Sequence, residues 1–345
     1  MTPIAAELGG GGGDRYDAQV AAAFGALEVR PPGAFLWFGR RAAVPAAAAR
    51  AATDEALARE LLVDAIAQRL HTDFFGAAQP RSQRGGPVTP ADDGGAFVRT
   101  LSQANCGRGT WQTGWRVTAV DGETVTVVRP DGLRLLAPAE DCRFADAYAH
   151  GAGARADVRV AKERTGLRPG VYVARGDAPR APASDGPVRL YWNIAAAGAV
   201  TFVARVTYAL NRASLPFSLE LLDDPARYGR RPAADLVVAK THAAPVITLL
   251  RPLLRTLAAH LADGAPAFAK PLARGLALGE DPADGRRFGE HRCQLLAEAI
   301  VSASEQGLRT TQPRLTLVRE RFAAAGLSLD APYLRPGSDD AYERS

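Results

Sequence analysis

The sequence predicts an α+β protein: a helical N-terminal region, a small antiparallel β-meander and a C-terminal region of mixed strands and helices. Three observations predict this class. Apolar residues recur at helical spacing over residues 54–70, alternate with a period of two over residues 116–128, and then fall into short strands and helices from residue 161. The hydrophobic fraction of 47% and the charged fraction of 23% are typical of a folded chain and argue against extensive disorder.

The N-terminal half is predicted to contain a variable segment and a helical region. Residues 1–50 are predicted to be flexible or partly ordered, since the run from Gly9 to Gly13 is typical of a linker and no Gly-Lys-Ser/Thr motif follows it. Residues 51–115 are predicted to be helical. Their clearest helix has one apolar face, made of Leu57, Leu61, Leu62, Ala65, Ile66 and Leu70.

The C-terminal part begins with strands. Residues 116–160 are predicted to form the small antiparallel sheet, because Asp121-Gly122 and Asp131-Gly132 separate alternating runs. Residues 161–330 are predicted to form the mixed domain, and residues 331–345 a tail. The strands of the mixed domain are predicted at 171–174, 188–194, 217–222, 236–239, 267–269 and 276–278, and its helices at 199–212, 245–262, 291–304 and 314–325.

Composition excludes several classes of function. Lys and Arg total 42 against 37 Asp and Glu, and this small, evenly spread excess argues against a nucleic-acid interface. The three cysteines are far apart and form no CxxC pair, so we expect neither a disulfide framework nor a metal site. No signal peptide and no apolar run long enough to span a bilayer is found. We therefore expect a cytoplasmic protein that binds no membrane.

Two segments in the middle of the chain combine glycines with reactive side chains. The loop that carries Asn105, Arg108 and Trp111 either bends around a ligand or forms a tight turn pinned by tryptophans. Lys162 is one of only three lysines, and the pKa of a lysine falls when it is buried. It is either a catalytic base or a solvated charge beside Glu163.

Two further segments suggest an anion site. Alternation along residues 189–194 puts Arg189, Tyr191 and Asn193 on one face, which is either an exposed sheet face or the wall of a pocket. His291 and Arg292 fall in the first turn of a predicted helix, where the helix dipole favours anions. Together with Lys270 they would form a phosphate or carboxylate site; otherwise they are solvated charges on a capped helix.

Several segments, taken in order, resemble one bacterial family. It comprises the type III effector-like proteins encoded beside aminoglycoside-phosphotransferase-like kinases in class V lanthipeptide and thioamitide clusters. The resemblance runs from about residue 60 to residue 305. It rests on ANCGRGTW at 104–111, KE at 162–163, PGVY at 169–172, RLYWN at 189–193, PFSLELLDDP at 216–225, YGR at 228–230, FAKPLARGLALGEDP at 268–282 and FGEHRC at 288–293.

The resemblance implies a lyase subunit with a phosphothreonine-lyase-like α+β domain. A separate kinase, in a complex with this protein, would phosphorylate Ser or Thr of a precursor peptide. This protein would then eliminate the phosphate to leave dehydroalanine or dehydrobutyrine, and another protein would perform any cyclisation. Neither a metal nor an organic cofactor is implied. Elimination needs a base at the Cα–H and cations at the departing phosphate.

The resemblance also implies roles for individual residues. Tyr191 becomes the candidate proton donor, with His291 as the second choice. At Glu220 the family is expected to carry a lysine, the base. Glu220 would replace it only if burial raised its pKa, and Lys162 or Lys240 would replace it only if the fold brought one of them near. The implied phosphate ligands are Arg189, Arg230, Lys270 and Arg292.

Because a carboxylate repels phosphate, the Glu220 substitution keeps a second function open. The alternative is a catalytically degenerate partner that binds the kinase, the precursor leader or both, without performing chemistry.

Overall fold

The structure, a computed structural model, describes residues 12–30, 34–42, 54–81, 94–146, 151–179, 186–229 and 232–342. These residues form seven α-helices and three antiparallel sheets, which confirms the predicted α+β class. The main core lies between the largest sheet and the helices that cover it, and a second, smaller core lies within the middle sheet. None of the helices in the described ranges has both the length and the apolarity needed to cross a bilayer.

The N-terminal part is more ordered than the glycine run suggests. It contains α1 (Gly12–Ala26) and a three-stranded sheet of β1 (Leu27–Arg30), β2 (Ala34–Trp37) and β3 (Arg40–Arg41). Helix α1 joins the main core through Tyr16, Val20 and Ala23, which are all buried. Their spacing of four and three residues makes one apolar face, so tertiary burial stabilises a helix that begins inside the glycine run.

Two helices lie in the predicted helical region of residues 51–115, whose last residues, from Thr110, belong instead to the first strand of the middle sheet. Helix α2 (Glu55–Asp73) begins after Asp54, whose side chain accepts a hydrogen bond from the Leu57 amide at 3.0 Å. Most of the predicted apolar face is buried, but Leu57 is exposed. A short 3-10 turn (Phe75–Ala77) follows α2, and α3 (Gly94–Ala104) comes next.

The five-stranded middle sheet confirms the predicted hairpins. It has the order β6-β5-β4-β8-β7, and Asp121 pairs with Thr124 across the first turn. A bulge in β4 contains Gly114, which has a φ of 82°. The strands are β4 (Thr110–Asp121), β5 (Thr124–Val128), β6 (Arg134–Pro138), β7 (Cys142–Phe144) and β8 (Arg155–Val160).

The C-terminal sheet has seven strands in the order β14-β15-β11-β13-β12-β10-β9. The strand predicted at 267–269 is wrong: Phe268 has a φ of 64°, its amide donates to Gln19 at 2.9 Å, and the strand starts only at Lys270. The strands are β9 (Glu163–Arg168), β10 (Val171–Arg175), β11 (Pro187–Trp192), β12 (Ser218–Leu222), β13 (Ala234–Ala239), β14 (Lys270–Ala273) and β15 (Leu276–Glu280).

Four helices complete the C-terminal part, close to their predicted positions. Helix α5 begins five residues before the predicted start at Pro245. It contains two internal prolines, Pro245 and Pro252, each of which removes one backbone hydrogen bond, while buried apolar residues hold the helix on the core. The helices are α4 (Ala196–Arg212), α5 (Lys240–Thr256), α6 (Phe288–Glu305) and α7 (Thr311–Ala324).

Candidate functional site

A cavity of about 200 Å³ lies on one face of the seven-stranded sheet, against α2 and the start of α6. Three arginines, three carboxylates, a histidine and a tyrosine line it. These are Arg168, Arg189, Arg287, Glu220, Asp235, Glu290, His71 and Tyr191. Within the described part of the chain, no group of three or more His, Cys, Asp or Glu side chains is arranged to hold a metal ion.

The register of the sheet brings three polar residues together. Glu220 of β12 pairs with Asp235 of β13, which in turn pairs with Tyr191 of β11. Residues directly opposite each other project from the same sheet face, so the three side chains line the same cavity. Arg189, two residues before Tyr191, shares this face. The alternation along residues 189–194 therefore marks a pocket wall rather than an exposed face.

Glu220 is bound by two arginines. Arg287 donates from both terminal nitrogens to the two carboxylate oxygens, at 2.9 and 3.0 Å, and Arg168 donates to one of them at 2.6 Å. Burial alone raises the pKa of Glu220, but hydrogen bonding and attraction to Arg287, with a further contribution from Arg168, lower it overall. The net shift of the pKa of Glu220 is downward, so the condition under which Glu220 would replace the lysine base, a raised pKa, is not met.

Arg189 is held at the other side of the cavity. Its Nε donates to both oxygens of Asp281, at 2.7 and 2.9 Å, while its Nη1 lies 3.7 Å from Asp235. Nη1 is buried and has no hydrogen-bond partner among the described residues. A buried guanidinium donor without an acceptor is costly. The cavity therefore offers an unsatisfied donor to an incoming anion.

The start of α6 already holds an anion from the protein itself. Asp281, almost fully buried, accepts a hydrogen bond from the Phe288 amide at 2.8 Å in addition to those from Arg189. The helix dipole stabilises this carboxylate, as it would a substrate anion. Arg287, just before the helix, is the residue of this segment that reaches the cavity with its guanidinium.

Three groups of the cavity can carry a proton. Burial raises the pKa of Asp235 to about 6, although Arg189 opposes the shift. Burial also raises the pKa of Tyr191 well above its usual value, so the phenol keeps its proton. For His71, burial lowers the pKa, only partly offset by Glu290, so the imidazole is neutral at pH 7.

His71 reaches the cavity through tight aromatic packing. Its ring stacks on Phe75 with centroids 5.4 Å apart, and Phe75 meets Tyr191 edge-on at 5.9 Å. Gly289 at the start of α6 allows this, because a Cβ there would lie 2.7 Å from the Phe75 ring. Helix α2 is thereby fixed against the C-terminal sheet.

The four cations predicted to bind phosphate do not meet in one cavity. Arg189 lines it, and Arg230 lies outside the described residues. Lys270 instead binds both oxygens of Asp340, at 2.6 and 2.7 Å. Arg292 is fully buried and donates to the backbone carbonyls of residues 332 and 334, each at 2.7 Å. The structure thus corrects the grouping: these two cations anchor the C-terminal segment.

Two other candidates for proton transfer lie away from the cavity. His291 is buried and contacts Arg292; burial, with Arg292 next, lowers its pKa to about 4. Lys240 contacts Ser338 and lies 3.3 Å from Glu280, a buried carboxylate that also binds the C-terminal segment. Neither residue lines the arginine cavity.

The remaining candidates form a structural turn. Lys162 donates to the carbonyls of Ser102 and Asn105, at 3.0 and 2.9 Å, where α3 ends. The amide of Arg108 donates to Asp177 at 2.7 Å, and Arg143 covers the ring of Trp111 at 3.8 Å. This geometry favours the tight turn over a loop that bends around a ligand.

Four polar cavity residues lie outside the motifs that the sequence shows. Asp235 lies within an apolar strand, and His71 ends an amphipathic helix whose polar positions resemble any solvated face. Arg168 and Arg287 each stand directly before one of the motifs, PGVY and FGEHRC, but arginines are too frequent in this chain to be distinctive. Only the pairing register and the packing of α2 bring these residues together.

The fold and the cavity define an α+β protein whose largest antiparallel sheet carries an arginine-lined cavity. The model of the HopA1 effector protein family matches residues 162–334, half of the chain. The chain belongs to the HopA1 effector protein family. The matched residues include every cavity residue of the sheet and of α6, whereas His71 and Phe75 lie outside them.

The chain matches two solved structures. One is the effector protein from Pseudomonas syringae pv. tomato strain DC3000, with 14% identity, 94% of this chain and 96% of that chain covered, and a TM-score of 0.44. The other is the effector protein from Pseudomonas syringae pv. syringae strain 61, with 13% identity, coverages of 93% and 98%, and a TM-score of 0.42. No curated protein matches the chain.

Proposed function

We propose that this protein is a phosphoserine/phosphothreonine lyase subunit of modified-peptide biosynthesis of the lanthipeptide type. It acts in the cytoplasm on a precursor peptide phosphorylated by an aminoglycoside-phosphotransferase-like kinase, and leaves dehydroalanine or dehydrobutyrine. The observation that carries the proposal is the convergence of Arg168, Arg189 and Arg287, from three separate elements, on a cavity that also holds proton-carrying groups.

The arginines fit a phosphate monoester. Guanidinium groups bind phosphate oxygens in pairs and stay charged at every working pH. Arg189 offers the unsatisfied Nη1, and Arg287 and Arg168 offer the donors that now bind Glu220. A dianionic phosphate carries more charge than the carboxylate, so it can exchange with Glu220 for these donors.

The proton steps follow from the pKa directions. Neutral His71 accepts the proton from Cα, the bond between Cβ and the phosphate oxygen breaks, and phosphate leaves with the electron pair. Tyr191 keeps its proton and stabilises the developing enolate by donating a hydrogen bond. Glu220 is a poor base, because Arg287 and Arg168 stabilise its charged form and lower its pKa.

Incubation with synthetic phosphoserine and phosphothreonine peptides tests the activity. Mass spectrometry should show loss of phosphoric acid, and a thiol added afterwards should form an adduct with the dehydro residue. His71→Gln should lower kcat by a factor of 10²–10⁴ with little change in KM, as expected for a general base. The matched control is His260→Gln, at a partly buried histidine outside the cavity. Phosphopeptides that stay intact with the wild-type protein contradict the proposal.

Glu220 favours a second candidate, a partner that binds the phosphopeptide or the kinase without chemistry. Its carboxylate neutralises the two arginines that a leaving phosphate needs. In this case the kinase, ATP and precursor, incubated with this protein, yield phosphopeptide that accumulates. If Glu220→Lys then starts elimination, this position is the site of the missing base.

A further inference from the structure

A second and larger cavity, of about 680 Å³, lies on the five-stranded sheet. It is formed by β4, β7 and β8 together with the end of β5, and it shares no lining residue with the arginine cavity. Its size is within the range of ligand sites. Four arginines and a single carboxylate stand among its lining residues: Arg116, Arg129, Arg143, Arg155 and Asp157.

Two of these arginines face each other without a counter-charge. Arg116 of β4 and Arg155 of β8 are direct cross-strand partners. Among the described residues, neither arginine forms an ion pair with a carboxylate, and Arg116 donates to the carbonyl of Gly153, at 3.3 Å. Like charges directly opposite each other destabilise a sheet. An anion placed between them would remove this cost.

The wall of the cavity also contains an unsatisfied donor. Trp115 is 2% exposed, and its indole N–H has no acceptor in the described part of the chain. Arg129 lies over its ring, with the guanidinium carbon 5.2 Å from the centroid. A buried N–H without an acceptor costs free energy. A carbonyl or carboxylate oxygen of a ligand would satisfy it after a small shift.

We propose that this cavity binds an acidic segment of a peptide chain. Such a segment supplies carboxylates for the facing arginines and carbonyl oxygens for the indole. Single-stranded nucleic acid is disfavoured because its bases need open aromatic faces, whereas Arg129 covers Trp115 and Arg143 covers Trp111. The proposal does not depend on elimination at the arginine cavity.

Fluorescence anisotropy with a fluorescein-labelled peptide of ten glutamates tests the proposal on the full chain. Binding should weaken with rising salt. Arg116→Ala and Arg155→Ala should each raise Kd at least threefold, and the double variant at least tenfold. The matched control is Arg134→Ala, an exposed arginine of the same sheet outside the cavity, which should change Kd less than twofold. Circular dichroism checks that each variant is folded.

Three outcomes would overturn the proposal. These are the absence of binding at low salt, an equal loss of affinity in Arg134→Ala and the cavity variants, and tighter binding of a ten-nucleotide DNA strand than of the peptide. Because the probe carries no phosphate and no reaction is measured, a failure here leaves the lyase proposal standing, and a failure of elimination leaves this one standing.

Discussion

Single residues decide the chemistry of the arginine cavity. Glu220 is the clearest case, because its carboxylate is the counter-ion of two guanidinium groups, those of Arg168 and Arg287, which come from different parts of the chain. Among the described residues, no arginine donates a hydrogen bond to Asp235, one strand away; the nearest guanidinium nitrogen, of Arg189, lies at 3.7 Å, and the pKa of Asp235 is raised by burial. The pKa values of two carboxylates on neighbouring strands thus shift in opposite directions, because the arginines outweigh burial at Glu220 and not at Asp235.

Removing the charge of Glu220 should strengthen anion binding. In Glu220→Gln, Arg168 and Arg287 lose their counter-charge, so inorganic phosphate should bind at least tenfold tighter by isothermal titration calorimetry. Glu305→Gln serves as control, because Glu305 pairs with Arg59 outside the cavity. Unchanged phosphate affinity in Glu220→Gln would show that these arginines do not form the anion site.

Asp235 should make stability depend on pH. A carboxyl group whose pKa is raised from 3.8 to about 6 stabilises the folded state at low pH, and this contribution is lost as pH rises through the folded-state value. Relative to Asp235→Asn, the wild-type protein should therefore lose about 2 kcal/mol of stability between about pH 4 and pH 8. Urea unfolding at both pH values measures the difference. A constant difference would mean that the pKa of Asp235 is the same in the folded and unfolded states.

At the scale of elements, the sequence predicts periodic segments better than their ends. The hairpin at Asp121-Gly122 and the helices α4, α6 and α7 follow from local spacing, which the structure retains. The strand predicted at 267–269 fails because Gln19, almost 250 residues away, binds the Phe268 amide. Local sequence contains no information about such a partner.

Lys162 should act on the end of α3 rather than on the reaction. Lys162→Met removes two charge-assisted hydrogen bonds to carbonyls at this helix end, and should cost about 1 kcal/mol of unfolding free energy. Hydrogen exchange of the α3 amides should become faster, while kcat stays unchanged. Arg99→Met, an exposed position on the same helix, is the control. A drop in kcat with unchanged exchange would instead make Lys162 part of the catalytic machinery.

At the scale of the whole molecule, the C-terminal segment is hydrogen-bonded to the end of β15, next to the arginine cavity. Glu280, at the end of β15, accepts hydrogen bonds from Tyr342 at 2.7 Å and Ser338 at 2.8 Å. The next residue, Asp281, holds Arg189 of the cavity. The predicted tail is therefore bound to the core next to a residue that orients the anion site.

Arg292 should matter for stability but not for anion binding. Arg292→Met leaves two buried carbonyls without donors and should lower the free energy of unfolding by about 3 kcal/mol. The Kd for inorganic phosphate should stay within twofold. The control is Arg286→Met, which removes an exposed arginine paired with Asp284. Loss of phosphate affinity together with normal stability would instead show that Arg292 belongs to the phosphate site that the resemblance implies.

Short-range periodicity is enough to predict the α+β class, most helices and strands, the hairpins of the middle sheet and the polar face of Arg189 and Tyr191. The tertiary structure alone decided which charges meet. Lys270 and Arg292 bind the C-terminal segment, while Arg168, Arg287 and His71 reach the cavity from distant parts of the chain. Strand register and helix packing decide which charged side chains become neighbours, and neither is a property of local sequence.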